Sequence, residues 1–166
     1  MSGETSLPPL RRIVTGYDAD GQSKILSDGP PPAQFVANEL ITATHLWATD
    51  RTPADILDTG DGVNLLTGTA PPIGGSRFLI LDILPGELQG GDHQTDTLDY
   101  AVCLVGEVDA VLDNETCTMK AGDVLIQRGT MHNWVNRSQA PARLLFVMID
   151  GGPKRAASLG SGENTG

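Results

Sequence analysis

The sequence predicts a single all-β domain, built as a barrel or sandwich of short strands. Between residues 86 and 150, short apolar stretches recur at regular spacing, and turns rich in Gly and Asp separate them. The chain has 166 residues, enough for one domain with a sizeable core. Its 20 glycines and 11 prolines favour many turns, and no apolar period of 3.6 residues is sustained.

Residues 1–85 are interpreted as an N-terminal arm followed by the opening strands of the barrel. Strands at 11–17 and 24–27 flank Asp18-Ala19-Asp20-Gly21, whose residue types favour a turn, so this part predicts a β-hairpin. Further strands are predicted at 42–49 and 76–84. A helix of one or two turns is predicted to begin at Thr52-Pro53, because proline suits the first helical position.

Residues 86–150 are predicted to form the core of the same domain. The polar and apolar alternation at 107–112 is typical of a half-buried strand. The other strands of this core are predicted at 98–105, 115–120, 124–127, 134–136 and 142–150. Residues 151–166 are rich in Gly and Ser and predict a flexible tail.

Charge and composition exclude several classes of function. The net charge of −10 would repel phosphate backbones, so no nucleic-acid partner is expected. No apolar run approaches the roughly 20 residues that span a bilayer, and no membrane partner is expected. The start of the chain has no basic segment followed by an apolar one, which predicts a cytoplasmic location. Two cysteines are too few for a disulfide framework.

The most informative stretch places an imidazole, two hydroxyls and a carboxylate at alternate positions: His93, Thr95, Thr97 and Asp99. Side chains two residues apart on a strand share a face, so a strand here would line one wall with all four groups. A second histidine, His132, lies in a later stretch with a similar pattern. Two imidazoles and a carboxylate that converge inside a barrel would make a small metal site.

These two stretches resemble the two sequence motifs of the cupin superfamily. The first motif usually runs from Gly, through five residues, to His-x-His, three or four residues, Glu, six residues and Gly. This chain has His93-x-Thr95, three residues, Asp99, six residues and Gly106. The spacing from His93 onward agrees, but Thr replaces the second His and Asp replaces Glu. The preceding glycine, Gly86, lies one residue too far away.

The second motif usually runs from Gly through Pro-x-Gly to His, three residues and Asn. Here Gly122 leads to Gly129, His132 and Asn136, with a loop one residue shorter and Gln127-Arg128 in the place of the proline. The chain is similar to small single-domain cupins that share a His-x-Thr-x-Thr-x-Asp-Tyr variant. Some of these occur beside enzymes of secondary-metabolite biosynthesis.

The resemblance implies a double-stranded β-helix, a jelly-roll-like cupin barrel, with an N-terminal β-hairpin arm. It also implies a homodimer in which the arm extends a sheet of the second subunit. His93, Asp99 and His132 match the family's metal-ligand positions, and Thr95 does not. Two imidazoles and a carboxylate with open positions suit a divalent metal ion: Fe(II), Zn, Mn or Ni.

Further roles follow for the residues around this metal site. Asp99 is a candidate for moving protons, and Thr95 is a candidate for hydrogen-bonding a metal-bound water, so both are catalytic candidates. The candidates for binding a small-molecule substrate are Trp134, which shares the face of His132, Arg128, which could reach an anion, and Thr97.

Each of these residues also has a purely structural alternative. The histidines could be held by hydrogen bonds without a metal, and Asp99 could form an ion pair or cap a turn. Trp134 could pack in the core, Arg128 could lie on the surface, and threonines are common in strands. Asn136 and Thr97 are candidates for orienting the imidazoles.

Two functions remain open. The first is a metal-dependent enzyme acting on a small oxygenated organic molecule inside the barrel, of the oxygenase, decarboxylase, isomerase or dehydratase type. The alternative is a metal-poor small-molecule-binding cupin without redox chemistry. The sequence has no Gly-x-Ser-x-Gly elbow and no phosphate-binding loop ending in Lys-Ser or Lys-Thr, which argues against a serine hydrolase and a P-loop enzyme.

Overall fold

A computed structural model describes residues 6–88 and 91–151 and is built almost entirely of strands. Within these residues one short 3-10 helix lies at Gly62–Leu65. The strands are β1 Arg12–Tyr17, β2 Ser23–Gly29, β3 Ala33–Val36, β4 Ile41–Thr49, β5 Ser76–Ile83, β6 Thr97–Val105, β7 Glu107–Val111, β8 Thr116–Lys120, β9 Val124–Arg128, β10 Asn133–Val135 and β11 Ala142–Asp150. No helix of the described residues is long and apolar enough to cross a membrane.

Two antiparallel sheets enclose the core. The larger has the strand order β3-β4-β5-β11-β6-β9, and the smaller has the order β10-β7-β8. Buried side chains from both sheets pack together, among them Leu79 and Leu144 from the larger sheet and Val108 and Trp134 from the smaller one. This arrangement confirms the predicted all-β class and is that of a double-stranded β-helix.

Alternation along β6 explains how this strand serves both the core and the site. Thr97, Asp99, Ala101 and Cys103 are buried, while Tyr100 between them is exposed. The period of two therefore points the odd-numbered side chains into the barrel. Burial, followed by the charge of Asp123, raises the pKa of the Cys103 thiol, as is typical of a buried, unreactive cysteine.

Two glycines of the motifs are required by the backbone. Gly106 has φ +74, and a Cβ there would lie 3.0 Å from the carbonyl oxygen of Pro141. Gly129 has φ +60, and a Cβ would lie 3.1 Å from the carbonyl oxygen of Thr95. Both adopt the left-handed conformation that favours glycine. Gly129 follows β9 directly, so it sets the path of the loop that carries His132.

The helix predicted at Thr52-Pro53 is wrong, because the structure has only turns and bends over residues 51–58. The side chains of Asp55 and Asp58 accept hydrogen bonds from backbone N–H groups two residues on, at 3.0 and 2.9 Å. Such local side-chain bonds compete with helix formation. The short helix forms instead at Gly62–Leu65, where Asp61 caps it by accepting from the Val63 N–H.

Alternation along the strand predicted at 42–49 would place His45 and Trp47 on one face, but the structure places them on opposite faces. The pairing of β4 with β5 shifts register between these two residues. His45 therefore faces the barrel interior and stacks on Phe35, with ring centroids 5.0 Å apart. Trp47 lies on the outer side against Arg12, whose guanidinium carbon is 5.9 Å from the ring centroid. A bulge of this kind reverses the facing of every later residue on a strand.

The predicted N-terminal hairpin forms from β1 and β2. In the described part of the chain these strands pair only with each other. Arg12 fastens the hairpin to the outer face of the larger sheet by an ion pair with Asp61 and a hydrogen bond to the Leu46 carbonyl oxygen. Its exposed apolar side chains are Ile13, Tyr17, Ile25 and Leu26. The homodimer in which this arm extends a second subunit's sheet stays a prediction.

The predicted tail, residues 151–166, lies outside the described residues except for Gly151.

Candidate functional site

A cavity of about 350 Å³ lies inside the barrel. Its apolar walls include Phe35, Leu79, Trp134, Phe146 and Met148. The polar side chains that carry chemistry and line it are Arg77, His93, Thr95, Asp99 and His132. A mostly apolar cavity of this size with a few convergent polar groups suits a small organic ligand.

His93 and His132 meet across an isolated antiparallel bridge. Each backbone N–H donates to the carbonyl oxygen of the other residue at 2.9 Å. The ring centroids are 4.2 Å apart, and the ring planes are tilted by 54°. The expectation that residues 93–99 form one strand is wrong in part, because β6 begins only at Thr97. His93 therefore reaches the cavity from a loop, and the pairing with His132 holds it there.

Backbone carbonyls orient both imidazoles. Nδ1 of His93 lies 2.9 Å from the Gly91 carbonyl oxygen, and Nδ1 of His132 lies 2.9 Å from the Thr130 carbonyl oxygen. A carbonyl oxygen only accepts, so each Nδ1 carries a proton and each Nε2 keeps its lone pair. Burial lowers the pKa of His132 and keeps that ring neutral near neutral pH. The His132 ring is thus prepared as a neutral nitrogen donor.

Asp99 is the buried carboxylate of the cavity, with 3% of its surface exposed. It lies directly opposite Gln127 of β9, so the two side chains share the inner face. Asp99 Oδ1 is buried and has no hydrogen-bond partner. Burial raises the pKa of Asp99, and the nearby Thr97 hydroxyl and His93 offset this only in part. The Asp99 oxygen without a donor faces the cavity, where a ligand can complete it.

The donor set fits a divalent metal at the two imidazoles. Each Nδ1 is turned toward a backbone carbonyl, which leaves Nε2 as the atom that can bind a metal, and Asp99 presents an unsatisfied oxygen to the same cavity. However, within residues 6–88 and 91–151 no group of three or more His, Cys, Asp or Glu side chains is placed to hold a metal ion. Direct ligation by Asp99 therefore stays a prediction, and so does the ligand set as a whole.

The structure places the other predicted site residues as follows. Thr95 lines the cavity and accepts a hydrogen bond from the Thr97 hydroxyl at 2.8 Å. Trp134 lines the cavity and is buried between His132 and Phe146, with centroid distances of 5.8 and 5.3 Å. Arg128 is exposed on β9 and is not among the lining residues.

The sequence reasoning missed two residues of the site. The Gln127 amide lies against Nδ1 of His132, and because this N–H is a donor, the amide oxygen is the atom that can accept from it; Gln127 thus takes the orienting role expected of Asn136. Asn136 instead donates to the carbonyl oxygens of Ile83 and Ala140, both at 2.9 Å, and so holds a loop in place. The second missed residue, Arg77, lines the cavity from β5. The sequence contains one sign of this: Arg77 lies two residues before the apolar Leu79, so its charged side chain shares the apolar face of the strand.

Comparison with known proteins agrees with this architecture. The family described as "Cupin domain" matches residues 79–148. A solved structure from Klebsiella pneumoniae, an uncharacterized conserved protein with a double-stranded β-helix domain, matches with a TM-score of 0.50. It is 16% identical, and the match covers 72% of this chain and 85% of that one. At that identity the likeness concerns the fold alone.

Two fungal relatives are more similar in sequence. "Phomopsin biosynthesis cluster protein C'" of Diaporthe leptostromiformis is 39% identical over 88% of this chain and 82% of its own length. "Cupin-domain-containing oxidoreductase fogC" of Aspergillus ruber is 31% identical over 84% of this chain and 71% of its own length. Together with the two motifs in the barrel, these matches show that the chain belongs to the cupin superfamily.

Proposed function

We propose that this chain is a metal-dependent cupin enzyme that acts on a small oxygenated organic molecule inside the barrel. The observation that carries the proposal is that His93, His132 and Asp99 all open into one mostly apolar cavity. Several relatives are named cupin-domain-containing oxidoreductases, which supports an oxidoreductase over a lyase or isomerase.

In this proposal the Nε2 atoms of His93 and His132 hold the metal. A divalent metal bound there would supply Lewis-acid or redox chemistry to an oxygen-containing ligand. The chain's own residues do the rest. Asp99 holds or accepts a proton at its free Oδ1, which suits a group whose pKa burial has raised. Thr95 offers a hydroxyl at the same wall, and Trp134 closes the cavity beside His132.

Elemental analysis of protein purified without a histidine tag tests this proposal. We expect close to one equivalent of Fe, Zn, Mn or Ni per chain, either as purified or after reconstitution with each ion. Two neutral imidazoles and a carboxylate are a donor set that all four ions accept. A content well below one equivalent after every reconstitution would contradict the proposal.

The second candidate is a small-molecule-binding cupin without redox chemistry. It is favoured by one observation, that within the described residues no group of three His, Cys, Asp or Glu side chains is placed to hold a metal ion. Thr95, at the position of the family's second histidine, is engaged by Thr97. This candidate predicts ligand binding that chelators do not change, whereas the enzyme is expected to lose its activity with the metal.

The Gln127 side chain provides a more specific prediction. Gln127→Leu removes the amide that contacts Nδ1 of His132, and outer-sphere contacts of this kind orient a ligating imidazole. We expect metal affinity to fall by about 10-fold to 100-fold, measured by competition with a chromogenic chelator. Gln34→Leu is the control, because Gln34 is exposed and bonds Thr44, and neither residue lines the cavity that holds His93 and His132. Equal affinity in the two variants would rule out the orienting role.

A further inference from the structure

Arg77 is a buried cation on the inner face of the barrel. Only 2% of its surface is exposed, and it lines the cavity together with Asp99 and the two histidines. Its Nε and Nη2 lie 3.3 and 3.4 Å from the two ring nitrogens of His45, and its guanidinium carbon lies 5.9 Å from the centroid of Phe35. These contacts hold the side chain in place, but they are long and bring no negative charge.

No carboxylate within the described residues forms an ion pair with Arg77. The arginines that do pair with a carboxylate are Arg11, Arg12, Arg51, Arg137 and Arg143. Burial alone lowers the pKa of Arg77 to about 10, so the guanidinium remains charged at neutral pH. A buried charge without a partner is costly, and buried charges in folded proteins are normally paired. The missing partner of Arg77 therefore belongs to whatever fills the cavity.

The strand registers place this cation relative to the histidine site. Arg77 lies opposite Met148 of β11, and Met148 lies opposite Asp99 of β6. Residues that lie opposite one another share a face, so the three form one row across the cavity wall. Neighbouring strands are spaced by about 4.8 Å, which puts the backbones of Arg77 and Asp99 about 10 Å apart. The cation and the carboxylate thus lie on the same wall of the cavity, with one strand between them.

We propose that Arg77 binds a carboxylate group of the small molecule that occupies the cavity. A planar guanidinium offers paired N–H donors that match the two oxygens of a carboxylate. The bound acid would extend along the apolar wall at Met148, with its far end at Asp99 and the two histidines. That the far end of the acid reacts beside the histidines rests on the proposed function. Carboxylate binding by Arg77 does not rest on it, because this contact needs no metal.

Calorimetric titration with benzoate and its neutral isostere benzamide tests the proposal. Both probes are small enough for the cavity, and they differ in charge at the group that Arg77 would bind. The titrations use the full chain, as purified and after treatment with a chelator. We expect wild-type protein to bind benzoate in preference to benzamide in both preparations. Equal affinity for the two probes, or no benzoate binding at millimolar concentration, would overturn the proposal.

Arg77→Met and Arg137→Met form a matched pair of variants. Arg77→Met is expected to weaken benzoate binding by about tenfold or more, since charge-assisted bonds are lost, while benzamide binding and the midpoint of thermal unfolding do not fall. Arg137→Met, on the surface, is expected to bind benzoate as the wild type does. Unchanged benzoate affinity in Arg77→Met, or a loss in Arg128→Met instead, would refute the role of Arg77.

Two further measurements separate this role from a structural one and from the metal. A purely structural arginine would lower the unfolding midpoint on substitution and leave the preference for benzoate intact. If Arg77→Met does not fold, Arg77→Lys replaces it, with weaker benzoate binding expected because an ammonium cannot form the paired contact. A preference for benzoate that persists in chelator-treated protein supports Arg77 even where the metal proposal fails.

Discussion

His132→Ala is expected to reduce the affinity for a divalent metal by more than about 100-fold, since even the loss of an outer-sphere contact costs 10-fold to 100-fold. The ring is buried and neutral, and its Nδ1 is bound to the Thr130 carbonyl oxygen, so Nε2 is the atom that the substitution removes from the cavity. Metal content after dialysis and competition with a chelator would measure the loss. His93→Ala is expected to behave alike, because the two rings lie together.

The chain offers a matched control in its third histidine. His45→Asn removes an imidazole of the same barrel that contacts Arg77 and Phe35, away from the pair of His93 and His132. Metal content is expected to stay at the wild-type level in this variant. Circular dichroism would establish that all three variants fold. Metal retained by His132→Ala, or lost equally by His45→Asn, would contradict ligation by His132.

Leu144→Ala is expected to destabilise the protein by about 3 kcal/mol, within the range of leucine truncations in tight cores. Leu144 has 0% of its surface exposed and is paired with Leu81 of β5 on one side and Cys103 of β6 on the other. The truncation would leave a cavity where three central strands meet. Urea unfolding would show the loss as a lower midpoint at unchanged slope.

Leu104→Ala is the control for this prediction. Leu104 lies on β6 but points outward, with 43% of its surface exposed. Its truncation should change the free energy of unfolding by about 0.5 kcal/mol or less, as exposed substitutions usually do. A similar loss of unfolding free energy in the two variants would contradict the placement of Leu144 in the core and Leu104 on the surface.

The strands from β4 onward could be predicted closely, because each leaves a local record in alternation and turn chemistry. The predicted strand at 76–84 became β5 at Ser76–Ile83, and that at 142–150 became β11 at Ala142–Asp150. The helix at Thr52 failed because competing bonds from Asp55 and Asp58 do not show in propensity. β3 was missed because its four residues follow a run of prolines.

The candidate site could be predicted in its residue types but not in its geometry. The motif spacing brought His93, Asp99 and His132 to attention, and all three line one cavity. His93 does not share the strand face of Thr97 and Asp99, because it lies before β6 and pairs with His132 through an isolated bridge. The role of Arg77 could not be predicted, because a single charged residue in an apolar strand indicates a binding site only when its tertiary neighbours are known.

Local sequence patterns establish the all-β class, most strand positions and the histidine motifs, because hydrophobic period and turn chemistry act over a few residues. Tertiary structure decided which groups share a cavity. It placed Gln127 against His132, left Asp99 Oδ1 without a partner, and put Arg77 in the wall without a counter-charge. These facts depend on register between strands distant in sequence, such as the row from Arg77 through Met148 to Asp99. Long-range pairing fixes that register, and no local pattern records it.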